Sequence, residues 1–215
     1  MYDIILFDLD GTLTNPQEGI TKCVQYALYK LGIDEPDLDK LVPFIGPPLA
    51  KMFRETYSLS EEEALLAVQY YRERFTAGGM FENLVYSGID QLLNGLKEDG
   101  RTLVVATSKP TVFSVEILKH FKLLSYFTNV AGSNLDGTRV EKSEVISYAI
   151  SQLGEVDKQR MIMVGDRKHD IIGAKNNSIA SVAVGYGFGT PEEIRAAQPD
   201  YTAFTVAELG RLLMA

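Results

Sequence analysis

Asp8 and Asp10 stand two residues apart in Asp8-Leu9-Asp10-Gly11-Thr12-Leu13, directly after the apolar run Ile4-Ile5-Leu6-Phe7. Two carboxylates at that spacing can divide a reaction between them. One at the tip of a strand can act as a nucleophile once a cation neutralises the anionic group it attacks. The other can donate a proton and later take one back. Gly11 permits a tight reversal where a Cβ would be in the way. Three further stretches carry chemistry-bearing side chains: Thr107 in Val104-Val105-Ala106-Thr107-Ser108-Lys109-Pro110, Lys142 in Arg139-Val140-Glu141-Lys142-Ser143-Glu144, and the pair Asp166 and Asp170 in Val164-Gly165-Asp166-Arg167-Lys168-His169-Asp170. Each has a plainer role when taken singly. Asp8 and Asp10 could be an acidic turn, Thr107 a helix cap and Lys142 a solvated helix residue. Asp166 and Asp170 could simply complement a helix dipole.

The elements around these residues decide whether they meet. Short apolar runs end at Asp8, at Thr107, at Gly165-Asp166 and, for Ala180 to Val184, at Gly185. Their length and lack of alternation suit strands buried on both faces. Helix-like stretches near 88–99, 110–120, 141–153 and 168–177 lie between them, and strand followed by helix, repeated, means a parallel α/β sheet. Ligands in such sheets bind beyond the carboxyl ends of the strands, which is where Asp8, Thr107 and Asp166 fall.

Residues 16–83 break the rhythm. Ile20, Val24, Leu28 and Leu31 recur at helical spacing, and Ser60 with Glu63 three residues on is a capping-box signature. Leu65, Val68, Arg72 and Phe75 then form the expected stripe of the second helix. The reading is an all-helical insert over 16–83 in a core made of 1–15 and 84–215. Hinges are expected near Asn15-Pro16 and at Ala77-Gly78-Gly79-Met80. Gly46-Pro47-Pro48 should start a helix whose N-terminus could meet an anion.

Composition narrows the function classes. A net charge of −8 argues against binding nucleic-acid polymers, which needs clustered Lys and Arg. It leaves small anions open, because a few local cations can reverse the field inside one pocket. The single cysteine, Cys23, excludes a disulfide framework within one chain and speaks for a reducing, cytoplasmic setting. No run approaches the roughly 18–20 apolar residues that span a bilayer, so no membrane partner is expected.

Asp8-x-Asp10-Gly11-Thr12 resembles the first motif of the haloacid dehalogenase superfamily. Thr107, Lys142 and the Asp166–Asp170 pair resemble its second, third and fourth motifs, in order, and the helical insert resembles the family's small cap. The resemblance implies a Rossmann-like parallel core with an inserted helical cap. Asp8 would be the nucleophile and Asp10 the general acid–base. Lys142 and Thr107 would stabilise phosphoryl oxygens. Asp10 favours phosphate transfer, since a dehalogenase has no use for that acid. Four carboxylates around a dianionic phosphate require a hard cation, and Mg2+ suits them. By resemblance its ligands would be the Asp8 carboxylate, the Asp10 backbone carbonyl and Asp166, with Asp170 holding metal-bound water.

The chain resembles most the branch of phosphoglycolate phosphatases and related 5′-nucleotidases, and Phe44-Ile45-Gly46-Pro47-Pro48-Leu49, Asp136-Gly137-Thr138-Arg139 and Gly185-Tyr186-Gly187-Phe188-Gly189 resemble its nucleotidase-like members in particular. The expectation is a Mg2+-dependent phosphomonoester hydrolase, monomeric or homodimeric, acting on a small molecule such as phosphoglycolate or a nucleoside 5′-monophosphate. Gly46, Lys51, Arg54, Ser108, Lys109 and Arg139 are candidate substrate contacts. The glycine-alternating stretch at 185–189 reads as a loop at the rim. A sugar phosphomutase is the nearest alternative. A phospho-accepting receiver module is a remote one, because its acidic pair and phosphoacceptor come in the opposite order.

Overall fold

The computed structural model describes all 215 residues. Its contacts divide the chain into two units, Met1–Asn15 with Val85–Ala215, and Pro16–Leu84. Strands β1 (Ile4–Phe7) and β2 (Thr14–Asn15) come first. The second unit holds α1 (Gln17–Lys30), α2 (Leu49–Tyr57) and α3 (Glu61–Thr76). The chain returns through β3 (Leu84–Val85) and α4 (Ile89–Glu98), then β4 (Thr102–Pro110), α5 (Thr111–His120) and β5 (Asn129–Ser133). It ends with α6 (Lys142–Ser151), β6 (Met161–Gly165), α7 (Lys168–Asn176), β7 (Ala180–Val184), α8 (Pro191–Ala197), β8 (Tyr201–Ala203) and α9 (Val206–Met214).

The first unit is built on a six-stranded sheet in the order β5-β4-β1-β6-β7-β8, with parallel pairing throughout. Strand β1 lies between β4 and β6, and its Ile5, Leu6 and Phe7 are fully buried. The two faces explain its unbroken apolar run. Leu6, Val104, Ala106, Met161 and Met163 pack under α6 and α7, against Val145, Ile146, Ala149 and Ala174. Their alternate neighbours Ile5, Phe7, Val105 and Val164 point the other way. Right-handed crossovers place the helices of leftward and rightward connections on opposite faces. The four anticipated strands are β1, β4, β6 and β7. The sheet adds β5 and β8 at its edges.

Register levels the strand tips. Phe7 pairs with Val105 on one side and Val164 on the other. Asp8 is therefore level with Ala106 and Gly165, and Thr107 and Asp166 come one residue further along. The direction of winding changes beside β1, the kind of position where α/β sheets open a crevice.

In the helical unit, Ile20, Val24 and Leu28 form the buried stripe of α1. Helix α3 begins as its signature indicates. The Glu63 amide donates to Ser60 Oγ at 3.2 Å, and the Ser60 amide donates to Glu63 Oε2 at 2.8 Å. The buried face of α3 differs from the expected stripe. It consists of Ala64, Ala67, Tyr71 and Phe75, while Leu65 is 54% exposed. The two alanines let α3 lie close to α1, and Tyr71 and Phe75 stack with ring centroids 5.3 Å apart. Of the expected hinge pair Gly78-Gly79, Gly78 has open space around it at φ +148, but Gly79 is packed. A Cβ on Gly79 would lie 2.6 Å from Cys23 Sγ, and one on Gly19 would overlap the Gly79 carbonyl. Arg74 clamps the same turn, donating to both carboxylate oxygens of Glu82 at 3.0 Å. That segment is locked inside the helical unit, and the chain crosses between units at Asn15–Pro16 and Leu84–Val85. No helix is long and apolar enough to cross a membrane.

The α3 cap yields a stability test. Ser60→Ala should cost about 1 kcal/mol, the usual worth of a hydroxyl cap, read as a lower urea midpoint at unchanged m. An unchanged midpoint would show that the hydroxyl contributes nothing to the start of α3.

Candidate active site

The turn after β1 is built from backbone bonds. The Asp8 amide donates to Val164 O at 2.9 Å, tying the residue to β6. Leu9 O then accepts from the amides of Leu13 at 2.9 Å and Thr14 at 3.0 Å, and Gly11 N donates to Thr14 O at 2.7 Å. Gly11 has φ +84, and a Cβ there would overlap the Asp166 carboxyl group. A side chain would fail at this position on both backbone and steric grounds.

Lys142 enters at the first turn of α6, although helix ends usually leave a lysine in water. Its ammonium is buried and meets three acceptors: Asp8 Oδ1 at 2.8 Å, Asp170 Oδ1 at 2.8 Å and the Ala106 carbonyl at 3.1 Å. Three donors with three partners satisfy an ammonium fully. The stem reaches the site because α7 carries Gly173 where it passes; a Cβ there would lie 3.0 Å from Lys142 Cγ. Asp170 uses its second oxygen as well, accepting from the Arg167 amide at 3.0 Å. Gly165 leaves room for that carboxyl, which a Cβ would overlap.

Asp166, like Asp10, has an oxygen to spare. Its Oδ2 accepts from the Phe188 amide at 2.7 Å, and its Oδ1 is buried with no hydrogen-bond partner. Oxygens of Asp8, Asp166 and Asp170 lie within 4.8 Å of one another. Hard oxygen donors clustered around an unsatisfied carboxylate oxygen are a fitting seat for a small divalent cation. Asp170 is already taken up by Lys142 and the α7 N-terminus, which suits it to an outer position.

The 185–189 stretch, read from sequence as a rim loop, presses directly on this cluster. Cβ atoms on Gly187 and Gly189 would overlap Asp166, so the two glycines let the loop close over it. Phe188 donates the amide noted above. Tyr186 hydroxyl donates to the Thr12 carbonyl at 3.1 Å, and its ring meets Tyr86 edge-on at 5.0 Å. Glu193 on α8 accepts from the Lys168 amide at 2.8 Å and from Arg167 Nε at 2.9 Å, bracing the start of α7. Sequence reasoning missed Phe188 and Glu193. The alternating glycines were the visible signal for the first, and nothing local marked the second.

The remaining expected residues divide. Thr107 is buried at the tip of β4, its hydroxyl oxygen accepting from the Lys109 amide at 3.3 Å, which leaves the hydroxyl hydrogen for another partner. The Ser108 carbonyl accepts from Ser133 Oγ at 2.8 Å, so its backbone has a structural part. Lys109, expected as a substrate contact, pairs with Asp10, Nζ to Oδ2 at 2.7 Å. Arg139 donates to the Gly132 carbonyl at 2.8 Å and to Asn134 Oδ1 at 2.9 Å, and its guanidinium lies over the Tyr148 ring. It braces its own loop. Gly46, Lys51 and Arg54 belong to the helical unit. There Gly46 has φ +104 before α2, Lys51 pairs with Glu55 at 3.9 Å and Arg54 is exposed.

Burial governs the electrostatics. It raises the Asp10 carboxyl above its ordinary value, and Lys109 only partly offsets this. Burial, then the charges of Asp170 and Asp8, push Asp166 well above the carboxylate range. Asp170 is raised to about 6, again by burial first, with Lys142 opposing. Burial works to lower the Lys142 ammonium, but Asp170 and Asp8 outweigh it and keep it charged.

Comparison with known proteins agrees with this geometry. The model of the haloacid dehalogenase-like hydrolase family matches residues 5–184. A 5′-nucleotidase of Pseudomonas aeruginosa is 50% identical over 212 residues, covering 99% of this chain and 96% of its own. Tyrosine-protein kinase PtkA of Mycobacterium bovis is 38% identical over 204 residues, covering 94% of this chain and 67% of its own. The crystal structure of a predicted phosphatase from Clostridium acetobutylicum superposes with a TM-score of 0.95 at 50% identity, covering 100% of this chain and 99% of the other.

The crowded carboxylates set the pH response of the metal-free chain. With its pKa raised to about 6 in the folded state, Asp170 holds its proton more fully in the folded chain than in the unfolded one between about 4 and 6. Its contribution to stability is therefore complete below about 4 and lost as pH rises through about 6. Thermal melts in chelator should show this decline, and added Mg2+ should raise Tm more at pH 7 than at pH 4.5. A Tm gain from Mg2+ that is equal at both pH values would refute the assignment of these carboxylates as the metal seat.

Proposed function

Since the chain belongs to the haloacid dehalogenase-like hydrolases and is a phosphatase of that family, we propose that it hydrolyses a small phosphomonoester through a phosphoryl group carried on Asp8. The observation that carries this reading is that the two carboxylates of one turn are held by different cations, Asp8 by Lys142 and Asp10 by Lys109. Their roles can then differ. An Asp8 oxygen attacks phosphorus while the bond from phosphorus to the leaving oxygen breaks, and Asp10 gives that oxygen its proton. Asp10 next takes a proton from water as the water oxygen bonds to phosphorus and the Asp8–phosphorus bond breaks, releasing phosphate. Lys142 and the free hydroxyl hydrogen of Thr107 meet the negative charge on the phosphoryl oxygens.

Mg2+ is the proposed cofactor, held by Asp8, Asp166 and the Asp10 carbonyl with Asp170 behind; when bound it neutralises the phosphate and orients it for attack. The helical unit is proposed to act as the cap over residues 16–83 that selects the substrate, with Gly46, Lys51 and Arg54 its candidate contacts. The name and 50% identity of the Pseudomonas relative support nucleoside 5′-monophosphates as the leading substrates. Phosphoglycolate, named beside nucleotides by the sequence resemblance, is the other candidate.

Phosphate release should be measured with Mg2+ over nucleoside 5′-monophosphates, phosphoglycolate, sugar phosphates and phosphotyrosine. Nucleotides should lead, and excess chelator should abolish turnover. Asp8→Asn should fold and lose nearly all activity; near wild-type turnover by that variant would end the covalent reading. Asp10→Asn should slow leaving-group release in the first turnover about 10²–10⁴-fold on alkyl esters and much less on p-nitrophenyl phosphate, whose leaving group needs no proton. Equal losses in that first-turnover release would remove Asp10 from the acid role.

A further inference from the structure

We propose that Lys109 is the residue that positions the acid–base carboxylate, anchoring one oxygen of Asp10 so that the other faces the reacting group. This rests on the phosphatase reading above and adds to it a division of labour within a single carboxyl group. Asp10 Oδ2 lies 2.7 Å from Lys109 Nζ, and the two side chains are 10% and 6% exposed. Asp10 Oδ1 is buried and has no hydrogen-bond partner. A carboxyl pinned at one oxygen cannot swing about its χ2, so the proton it transfers travels on Oδ1. In the first half-reaction that proton goes from Oδ1 to the leaving oxygen as its bond to phosphorus breaks. In the second, Oδ1 takes a proton from the attacking water.

The fold aims Lys109 at that place. The register of β4 against β5 shifts between Ala106 and Pro110, so the backbone leaves the regular ladder where the lysine sits. The deviation is held from both sides. Ser133 Oγ donates to the Ser108 carbonyl at 2.8 Å, and the Gly132 amide donates to Thr111 Oγ1 at 3.0 Å. The Lys109 amide donates to Thr107 Oγ1 at 3.3 Å. Gly132 lets β5 approach, because a Cβ there would overlap the Lys109 carbonyl. A lysine that merely sampled solvent or substrate would need none of this. Thr107 is caught in the same device, so the residue that meets the phosphoryl group and the one that steers the acid share one irregular strand end.

The test compares Lys109→Met and Lys109→Arg with wild type on an alkyl phosphomonoester and on p-nitrophenyl phosphate. A positioning role predicts that Lys109→Met slows leaving-group release in the first turnover, before water attacks, at least about 10-fold on the alkyl ester, toward the range of a displaced general acid. KM should change little, and first-turnover release of p-nitrophenol should stay within about threefold. Lys109→Arg should recover part of the lost rate. Lys109→Met/Asp10→Asn removes both charges, so it avoids an unpaired buried carboxylate. Its loss should be no greater than that of Asp10→Asn alone, since residues acting as a unit are not additive. A raised KM with unchanged kcat on both esters would make Lys109 a substrate contact and overturn the proposal. So would equal losses of first-turnover release on both, or additive losses in the double variant. Failure of the phosphatase reading would look different: wild type would release no phosphate from either ester, or Asp8→Asn would be as active as wild type.

Discussion

Four carboxylates lie buried just past the ends of two neighbouring strands, β1 and β6, and the rest of the molecule is arranged around that crowding. Asp166 and Asp170 are fully buried, Asp8 and Asp10 almost so. Charges removed from water are tolerated only when paired and hydrogen-bonded. Two ammonium groups are brought in to meet them, each from a different element. Lys142 comes from the start of α6 and Lys109 from the irregular end of β4. Backbone amides at Phe188 and Arg167 take two of the remaining oxygens. What stays unsatisfied, Asp166 Oδ1 above all, marks where the protein by itself does not complete the balance.

Such a cluster leaves little space, and the glycines around it follow from that. Gly11, Gly187 and Gly189 crowd Asp166, Gly165 gives way to Asp170, and Gly173 lets the stem of Lys142 pass. The apolar layer below is the counterpart. Leu6, Val104 and Met163 sit under α6 and α7 in a core that holds the strand tips level. Register then fixes which side chains meet, because a shift by one residue would turn Asp8 to the other face of the sheet.

The central sheet was legible because β1, β4, β6 and β7 are continuous apolar runs with a chemical residue at the end of each or a glycine closing it. Strand β5 was not, since Asn129-Val130-Ala131-Gly132-Ser133 mixes polar and small residues; Gly132 is there for the approach to Lys109, not for strand propensity. Strand β8 is three residues at an edge and offers too short a pattern to read. The face of α3 was misread because large apolar residues were preferred to Ala64 and Ala67, whereas close packing on α1 selects small ones. In the site, Asp8 and Asp166 directly follow strands, Lys142 opens α6, and Asp10, Thr107 and Asp170 lie within a few residues of such points, so the resemblance of ordered motifs was enough to single them out. The bond of Lys109 to Asp10 and the brace from Glu193 arise from long-range juxtaposition. No local pattern encodes either.

The charge balance of the site also accounts for an acidic protein handling an anionic substrate. With all four carboxyls ionised, the two ammonium groups leave the cluster by itself with a net charge of about two negative units. A dianionic phosphate would be repelled from it, whatever the net charge of −8 on the whole chain contributes. A divalent cation at Asp8 and Asp166 would bring the cluster to neutrality. Retention of a proton by Asp10, which burial favours, would leave it positive by one. The same proton is the one the leaving oxygen requires under the proposed mechanism. Attraction for the substrate and readiness of the acid are thus two consequences of one buried carboxyl. Its depth in the fold matters to function as much as its identity.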